Sequence, residues 1–436
     1  MLETTAGEPP HFSLEHEVHP EEVVRRAVLE DRITEGRRAF VEAETGDAFA
    51  DWWKAYLRGS RPRRDRTREP VRYVDLFSSI GGLSLGASEA IEALGMRPVP
   101  LLAADVDAGA LEVYAHNMRP RQTLSESVSN LVDYRVSGMG EDASFAYEPS
   151  IRDDRLAGIA GTIDLILAGP PCQGHSSLNN YSRHDDPKNL LYLAVPAVAV
   201  ATQATHVIIE NVPNVVSDKY GVVQTSVALL RNAGYEVTYG VIAAHKLGWP
   251  QTRKRFFIAA SRDSRPLDLH TLQAQLARDA LPVGWLLQDT LDDVVAGDVM
   301  RSVPQMSDEN VERIAHLFDN DTYNLPNDIR PECHREGTTY GSSYGRMAWD
   351  EPAPTITGGF LTPGRGRFVH PLRRRVLTPR EAARVQGFPD WYDFVVDERR
   401  PASRAQLTRW IGNAVPTILG QTATLAALAG AKVDRT

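Results

Sequence analysis

An apolar run that stops at two prolines constrains the fold of this chain more than any other stretch. Residues 163–168 are mostly apolar, and Gly169, Pro170, Pro171 and Cys172 follow them directly. Because proline cannot donate a backbone N–H to a sheet, the run predicts a buried strand that ends at this point. Open α/β sheets place ligands and reactive groups just beyond the carboxyl ends of such strands. The flanking loop residues therefore favour a nucleophilic Cys172 over a cysteine that only fills the core.

The composition limits the class of protein. The chain has 436 residues, 42% hydrophobic and 24% charged, so it can bury a large core and form two or three structural units. Its two cysteines, Cys172 and Cys333, are too few for a disulfide framework. We find no apolar stretch typical of a membrane span or a signal peptide, and we expect a cytoplasmic protein without membrane contact, nucleoid-associated in a prokaryote. The net charge of −9 argues against indiscriminate coating of nucleic acid.

Residues 1–70 differ from the rest of the chain. Proline and two glutamates at Pro20–Glu22, followed by apolar residues at roughly helical spacing, predict one helix. The segment from Phe40 to Leu57 predicts a second helix, and an arginine-rich linker follows it. We therefore expect an N-terminal helical extension. The sequence leaves open whether it docks on the main body, binds a protein partner or contacts phosphates.

From Val71 onward, apolar runs alternate with helical segments, which predicts an α/β fold with a doubly wound, mostly parallel sheet. We expect a third strand between Val128 and Val136. The other predicted strands cover residues 71–77, 99–104, 163–168, 206–209, 235–243 and 256–260. Adjacent glycines, Gly81 and Gly82, follow the first strand and open a helix, a geometry that lets a ligand approach backbone N–H groups. Their spacing favours an adenosine-containing ligand other than a dinucleotide.

Charged residues follow three of these strands. Asp105 ends the second strand, where a carboxylate suits a pair of ribose hydroxyls, although it is also suited to cap a helix. Glu210 lies at the same predicted sheet edge as Cys172, which favours a functional carboxylate over a helix cap. Arg253 and Arg255 alternate along an extended segment, so both fall on one side and form a potential clamp for an anion or a carboxylate.

Six motifs, taken in chain order, resemble the DNA cytosine-5 methyltransferases. They are Asp75-Leu76-Phe77 with Gly81-Gly82, Gly169-Pro170-Pro171-Cys172-Gln173-Gly174, Glu210-Asn211-Val212, Gln251-Thr252-Arg253-Lys254-Arg255, residues 380–389, and Gly412-Asn413-Ala414-Val415-Pro416. The resemblance implies a Rossmann-like catalytic domain at residues 71–262 and 371–436. It also implies a small irregular target-recognition domain at 263–370, while residues 1–70 remain the extension and its linker.

The family's chemistry explains why these residue types are needed. Cytosine C5 is a poor nucleophile until another nucleophile adds to C6 of the ring. The resemblance assigns this addition to the Cys172 thiolate and assigns protonation or hydrogen bonding of N3 to Glu210. It further implies that Arg255 holds the ring carbonyl and that Arg253 orients the cysteine loop or a phosphate. A base inside a duplex must first be flipped out of the stack.

The resemblance implies S-adenosyl-L-methionine as the methyl donor. In the family's pattern Phe77 stacks on the adenine, Asp105 takes the ribose hydroxyls and Val106 packs on the base. The remaining cofactor contacts it implies are Ile80, Gly81, Gly82, Pro171, Leu190, Asn413 and Val415. The contact to the adenine amine stays open between Ser127 and the region of Asp133.

Double-stranded DNA is the implied partner. The resemblance places Gln173, Ser176 and Thr355 against DNA, and Arg365 and Arg367 are candidate phosphate contacts, as are the three arginines at 373–375. We expect no metal and a catalytic monomer. An RNA-directed cytosine-5 methyltransferase and a non-catalytic DNA-binding relative remain alternatives. The recognition sequence, and whether a nuclease or defence system is paired with the enzyme, stay open.

Overall fold

The fold is described from a computed structural model. It describes residues 11–40, 45–62, 65–171, 191–335, 342–397 and 399–432. The chain divides into two compact units. Unit 1 combines residues up to 242 with 254–276 and the chain from 419 onward, and unit 2 combines 243–253 with 277–418.

Unit 1 is built from both strands and helices. In the first half of unit 1 they are β1 (Phe12–Val18), β2 (Glu22–Leu29), β3 (Arg32–Ala39), α1 (Ala48–Arg58), β4 (Pro70–Leu76), α2 (Gly82–Ala93), β5 (Arg97–Ala104), α3 (Ala108–Met118), β6 (Gln122–Leu124), β7 (Val132–Asp133), β8 (Val136–Ser137), β9 (Ser144–Phe145), β10 (Ser150–Ile151) and α4 (Asp154–Ala157). They continue as β11 (Leu165–Ala168), α5 (Ala194–Thr202), β12 (His206–Asn211), α6 (Val222–Asn232), β13 (Glu236–Ala243), β14 (Lys254–Ser261), β15 (Ser264–Arg265) and α7 (Leu269–Gln275).

Unit 2 carries fewer regular elements in its described part. They are α8 (Val283–Leu287), α9 (Asp308–Asp319), α10 (Pro379–Val385) and α11 (Arg404–Asn413), after which α12 (Thr417–Leu428) and β16 (Ala431–Lys432) lead the chain back into unit 1. It contains a small apolar cluster around Leu317, Tyr344 and Val369, besides other buried apolar residues. Unit 2 includes residues 277–370 of the segment predicted to recognise the target, together with residues 371–418, whereas residues 263–276 belong to unit 1. The recognition role itself stays a prediction.

A mostly parallel sheet organises unit 1 and confirms the predicted fold class. Among the described residues its strand order is β13-β14-β12-β11-β4-β5-β6. The neighbours from β12 to β6 pair in parallel, whereas β14 runs antiparallel to β12. Strand β11 is buried along its whole length, as expected for a parallel strand covered on both faces. One apolar cluster spans the sheet and the helices packed on it.

The predicted third strand is wrong. The strand that pairs with β5 is β6 at Gln122–Leu124, and the segment between Val128 and Val136 contributes only short pairings outside the main sheet. Of the three β6 residues, Leu124 alone is buried. Because β6 is a short edge strand with two exposed polar residues, it has no hydrophobic run by which the sequence could reveal it.

The predicted first helix of the N-terminal extension is also wrong. Strands β1, β2 and β3 form an antiparallel meander over residues 12–39. Val23, Arg25 and Ala27 share one inward face of β2, and each is at most 2% exposed. A charged residue in the middle of a buried face hides the alternation that identifies a strand, so the remaining valines mimic helical spacing. The second helix is confirmed in part as α1, which begins after the N-cap Asp47.

A buried ion-pair network joins the meander to α2. Arg25 Nη1 donates to Glu89 Oε2 at 2.9 Å, and Arg38 Nη2 donates to Glu89 Oε1 at 2.6 Å. Both guanidinium groups also lie over the Trp52 ring, at 4.3 Å and 4.1 Å from its centroid. Burial alone would raise the pKa of Glu89, but Arg38 and Arg25 lower it overall.

None of the helices in the described part of the chain has the length and hydropathy that a bilayer-spanning segment requires.

We expect Glu89→Gln to lower the free energy of unfolding by about 3–5 kcal/mol, because it leaves two buried guanidinium groups without a counter-charge. Urea unfolding followed by tryptophan fluorescence measures this change. The matched control is Glu35→Gln, which breaks exposed ion pairs on β3 and should shift the midpoint very little. Equal effects of the two substitutions would contradict the role given to the buried network.

Candidate active site

The carboxyl ends of β4, β11 and β12 meet at one edge of the sheet. Ala168 is paired with Leu76 on one side and with Ile209 on the other. The next residue of each strand is therefore brought to the same level, namely Phe77, Gly169 and Glu210. Gly169 N–H donates to the Leu76 carbonyl at 3.2 Å, which extends the pairing by one residue.

Gly169 lies close to the other two residues. A Cβ atom built on Gly169 would lie 3.6 Å from Glu210 Oε2 and 3.9 Å from the Phe77 carbonyl oxygen. A longer side chain here would occupy the space in front of the Glu210 carboxylate. The carboxylate therefore faces the segment that leads from β11 into Cys172.

Glu210 and Arg255 form a partly desolvated ion pair. Arg255 Nε lies 2.8 Å from Glu210 Oε1, and the two side chains are only 13% and 11% exposed. The register opposes Glu210 to Phe257, so Arg255 is its diagonal neighbour on the same face of the β12–β14 pair. The alternative helix-cap role has no support, because Gly221 is the N-cap of the next α-helix. Burial raises the pKa of Tyr192, and the nearby Glu210 carboxylate raises it further.

Asn211 connects the two strand ends. Its Nδ2 donates to the Pro170 carbonyl at 3.3 Å, while its Oδ1 accepts from the Val212 N–H at 2.8 Å. The side chain is 1% exposed. The sequence assigns no role to Asn211, and the one available signal is an amide directly after a buried strand. It fixes the backbone of the segment that enters the predicted nucleophile loop.

Several predicted residues fall in a part of the chain that is not described. Cys172, Gln173, Ser176 and Leu190 lie outside the described residues, as does the segment 174–183 that we expect to close over the target. Pro171 is the last described residue before them and is half-buried. The described geometry therefore positions the start of this loop.

The glycine turn after β4 has an unusual backbone. Phe77, Ser79 and Gly81 all have positive φ values, of 56°, 44° and 85°. Residues other than glycine pay roughly 1–2 kcal/mol for this left-handed conformation, and such positions cluster at ligand sites. Ser78 N–H donates to the Ala104 carbonyl at 3.1 Å, which ties the turn to the end of β5.

Asp105 holds the same turn from the other side. Its Oδ2 accepts from the Ser79 N–H at 2.8 Å, and its Oδ1 accepts from the Asp107 N–H at 2.8 Å. The helix-cap role considered for Asp105 belongs to Asp107, whose Oδ1 accepts from the Ala110 N–H at 3.3 Å. Each carboxylate oxygen keeps further acceptor capacity, so bonds to ribose hydroxyls are compatible with this geometry.

An apolar surface accompanies this carboxylate. Val106, directly after Asp105, is 72% exposed, which is unusual for a valine beside a buried strand. Phe77 is half-buried and packs against the main core, while Ile80 and Gly82 are buried where the turn enters α2. The turn, the acid and the valine together fit the adenosine part of a ligand, with an apolar side chain for the base and an acceptor for the ribose.

Two candidates for the adenine amine are now distinguished by their contacts. Ser127 follows β6 closely, and its hydroxyl lies 2.8 Å from that of Ser129. Asp133 is engaged by Arg152 and by the Tyr147 hydroxyl. The strand order therefore favours the segment around Ser127, although its contact with a ligand stays a prediction.

Arg253 belongs to unit 2, unlike Arg255. Its guanidinium is 1% exposed and donates to the Ile356 carbonyl at 2.5 Å and the Gly412 carbonyl at 3.0 Å. It thereby links the segment of Thr355, which is half-buried, to the end of α11. Asn413 is exposed at that end and Val415 is 7% exposed.

The arginines of unit 2 predicted to contact phosphate have different environments. Arg365 is exposed, whereas Arg367 donates to the carbonyls of Tyr323 and Arg346, each at 2.9 Å, and to Asn324 Oδ1 at 2.5 Å. The three at 373–375 each form an ion pair, with Asp292, Asp319 and Glu381 respectively. Arg375 is nearly buried with Glu381, whereas the pairs of Arg373 and Arg374 are exposed. All these arginines stay predicted phosphate contacts, and Arg365 is the exposed one for which no ion pair with a described residue is seen.

A buried acid lies below the glycine turn. Asp75 is 1% exposed, and its Oδ2 lies 2.5 Å from the Ser84 hydroxyl, which is itself 2.8 Å from the Tyr114 hydroxyl. Burial raises the pKa of Asp75 to about 7, and the nearby Asp105 carboxylate adds to the shift. Asp75 therefore stays protonated at acidic pH and loses its proton near neutrality.

Comparison with known proteins gives consistent matches. The family model for C-5 cytosine-specific DNA methylases matches residues 71–426. The chain is 40% identical over 361 residues to the type II methyltransferase M1.BsuMI of Bacillus subtilis, with 83% of this chain and 81% of that protein covered. It is 31% identical over 356 residues to the type II methylase M.HgiDII of Herpetosiphon aurantiacus, with coverage of 80% and 92%. A crystal structure of a proposed DNA modification methyltransferase from an E. coli prophage shares 25% identity at a TM-score of 0.54, covering 82% of this chain and 98% of that one.

We expect Asp75→Asn to change the pH dependence of stability. The raised pKa means that the stability from Asp75 is fully present below about pH 4 and is lost as pH rises through about 7. Relative to the parent, the free energy of unfolding of the variant should therefore increase by up to about 1.4 kcal/mol per pH unit between pH 4 and 7, then level off. Urea unfolding at pH 5, 6, 7 and 8 measures it. Glu112→Gln, on the exposed side of α3, is the control, and a parallel pH profile for both variants would refute the shift.

Proposed function

Since this chain belongs to the C-5 cytosine-specific DNA methylase family, and is therefore a DNA methyltransferase, we propose that it flips cytosine out of duplex DNA and bonds it through Cys172. A methyl group is then transferred to C5 of that cytosine ring. Its similarity to type II methyltransferases supports cytosine methylation in a restriction-modification type system. The observation that carries the proposal is the Glu210–Arg255 pair beside Gly169, at the entrance to the cysteine loop.

Cys172 supplies the nucleophile in this proposal. Its thiolate adds to C6 and pushes electron density onto the ring, so that C5 becomes able to accept a methyl group. Loss of the C5 proton then lets the sulfur–C6 bond break and restores the thiolate. The hydrogen bond from Asn211 to the Pro170 carbonyl supports this step, because it fixes the backbone two residues before the cysteine.

Glu210 offsets the charge that develops on the ring. As a proton donor or shared-proton partner at N3, it stabilises the adduct that the thiolate forms. Arg255 orients the carboxylate through the 2.8 Å ion pair, and in this proposal its guanidinium group donates to the ring carbonyl. The pair is mostly withdrawn from solvent, which strengthens both interactions.

S-adenosyl-L-methionine, when bound, supplies the methyl group. The residues that fit it are those of the strained turn: Phe77, Ile80, Gly81 and Gly82 offer backbone and a ring, Asp105 offers acceptors for the ribose, and Val106 offers an exposed apolar side chain. Leu190, Pro171, Asn413 and Val415 complete the proposed set. Gln173, Ser176, Thr355 and Arg365 are the proposed DNA contacts, with Arg367 engaged inside unit 2.

We expect Cys172→Ser to abolish methyl transfer, because a serine hydroxyl is not ionised at neutral pH and cannot replace the thiolate. Bisulfite sequencing of DNA from expressing cells measures it and reports base and context together. The matched control is Cys333→Ser, which removes the exposed cysteine and should retain full activity. Duplex DNA and tRNA are compared as methyl acceptors in vitro. Methylation of tRNA alone would show that the substrate is RNA and not duplex DNA.

The covalent step has its own readout. With the methyl donor present, the parent and Cys333→Ser should become trapped on duplexes that carry 5-fluorocytosine, whereas Cys172→Ser should not. Trapping of Cys172→Ser at the parental level would overturn the assignment of the nucleophile.

We expect Glu210→Gln to lower kcat by about 10²–10⁴-fold, in the range of a lost general acid, with a much smaller change in DNA affinity. Single-turnover methylation and equilibrium DNA binding separate the two effects. Glu35→Gln is the control, since Glu35 forms exposed ion pairs on β3, outside the family match. Equal rates for the two variants would count against a role for Glu210 in the chemistry.

A further inference from the structure

A cavity lies within unit 1, between the N-terminal meander, α1 and the start of β5. It has a volume of about 720 Å³, within the range of small-molecule sites. Every lining residue falls between positions 25 and 98, and most precede residue 71, where the family match begins. The cavity is therefore built largely from a part of the chain that the methyltransferase chemistry does not use.

The lining carries an excess of positive charge. Only two acidic residues contribute to it, Asp65 and Glu92, against six arginines: Arg25, Arg37, Arg38, Arg61, Arg68 and Arg97. Arg37 is paired with Glu22 and Glu35, and Arg68 is paired with Asp65. Arg25 and Arg38 share the single carboxylate of Glu89, so the excess of positive charge lies on the part of the wall that they form.

Buried donors on this wall have no acceptor among the described residues. They are Arg25 Nε, Arg38 Nη1, Arg97 Nε and Trp52 Nε1. Arg25 and Trp52 are each only 2% exposed, whereas Arg38 and Arg97 are half-buried, so the latter two are the ones that a ligand in the cavity reaches. Guanidinium and indole N–H groups can donate hydrogen bonds but cannot accept them. The wall therefore suits a ligand that brings acceptor oxygens.

The aromatic rings of the cavity stack against arginine side chains. Arg25 and Arg38 stack on Trp52, and Arg38 also lies 4.9 Å from the Tyr56 ring centroid. These contacts fix the planes of the guanidinium groups and leave the rings less available to a base. Planar, fixed guanidinium groups are well suited to the oxygens of a phosphate.

We propose that this cavity is a phosphate-binding site, separate from the cofactor and cytosine sites, for the phosphoryl group of a free nucleotide or of the DNA backbone. Arg38 and Arg97 donate to the phosphate oxygens, and Arg25 adds charge from behind. The site reads no base, since its donors are suited to phosphate oxygens.

Titration calorimetry of the full-length protein tests the proposal with three probes: pyrophosphate, ATP and a duplex that contains no cytosine. We expect saturable binding of pyrophosphate that Arg97→Gln weakens at least ten-fold. The matched control is Arg32→Gln, an exposed arginine of β3 outside the cavity, which should change the affinity less than two-fold. Competition by ATP alone identifies a free nucleotide as the ligand, and competition by the duplex identifies the DNA backbone.

A second measurement, made on the protein without substitutions, covers the case in which Arg97→Gln does not fold. Phenylglyoxal modification, mapped by mass spectrometry, should show that pyrophosphate protects Arg38 and Arg97 but leaves Arg32 reactive. Absence of saturable binding by all three probes, or binding without selective protection of Arg38 and Arg97, overturns the proposal. Neither readout depends on methyl transfer, so failure here is distinct from failure of the proposed catalytic function.

Discussion

The pairing of β11 between β4 and β12 is the constraint on which the candidate site depends. Two parallel registers are set at once, and they bring Leu76, Ala168 and Ile209 level with one another. Because side chains alternate along a strand, a shift of one residue in either pairing would turn Glu210 or Phe77 to the opposite face. Glycine at position 169 completes the constraint, since the carboxylate occupies the space beside its Cα.

Three carboxylates of unit 1 show how their surroundings decide their chemistry. Glu89 has two guanidinium partners and keeps its charge in the interior. Asp75 has hydroxyl partners, and burial raises its pKa to about 7. Glu210 has one guanidinium partner on one oxygen and the loop entrance beside the other. That intermediate arrangement suits a group that must exchange a hydrogen bond or a proton with a substrate.

The N-terminal meander and the proposed cofactor turn share a helix. The turn ends where α2 begins, at Gly82. Further along α2, Glu89 accepts hydrogen bonds from Arg25 and Arg38 of the meander. The residues outside the family match are therefore packed against the element that follows the turn. Arg25 and Arg38 therefore take part both in the ion pairs with Glu89 and in the lining of the proposed phosphate site.

The sequence by itself determined most strands of the sheet and the edge at which we propose that the chemistry lies. Buried parallel strands are continuous apolar runs, and prolines or acids mark their ends, so the strands before Phe77, Asp105, Cys172 and Glu210 are visible in the local pattern. The motifs around those ends also carry the family resemblance, which the comparisons confirm.

Only the tertiary structure decided how the charged residues are used. Arg25 faces inward within β2, so its strand imitates a helix in the sequence, and Arg253 and Arg255 belong to different units although they are two residues apart. Arg367 and the arginines at 373–375 are predicted phosphate contacts, and the structure shows that each of them also binds a group of unit 2. The physical reason is that hydrophobic periodicity is local, whereas the partner of a charge is chosen by residues far along the chain.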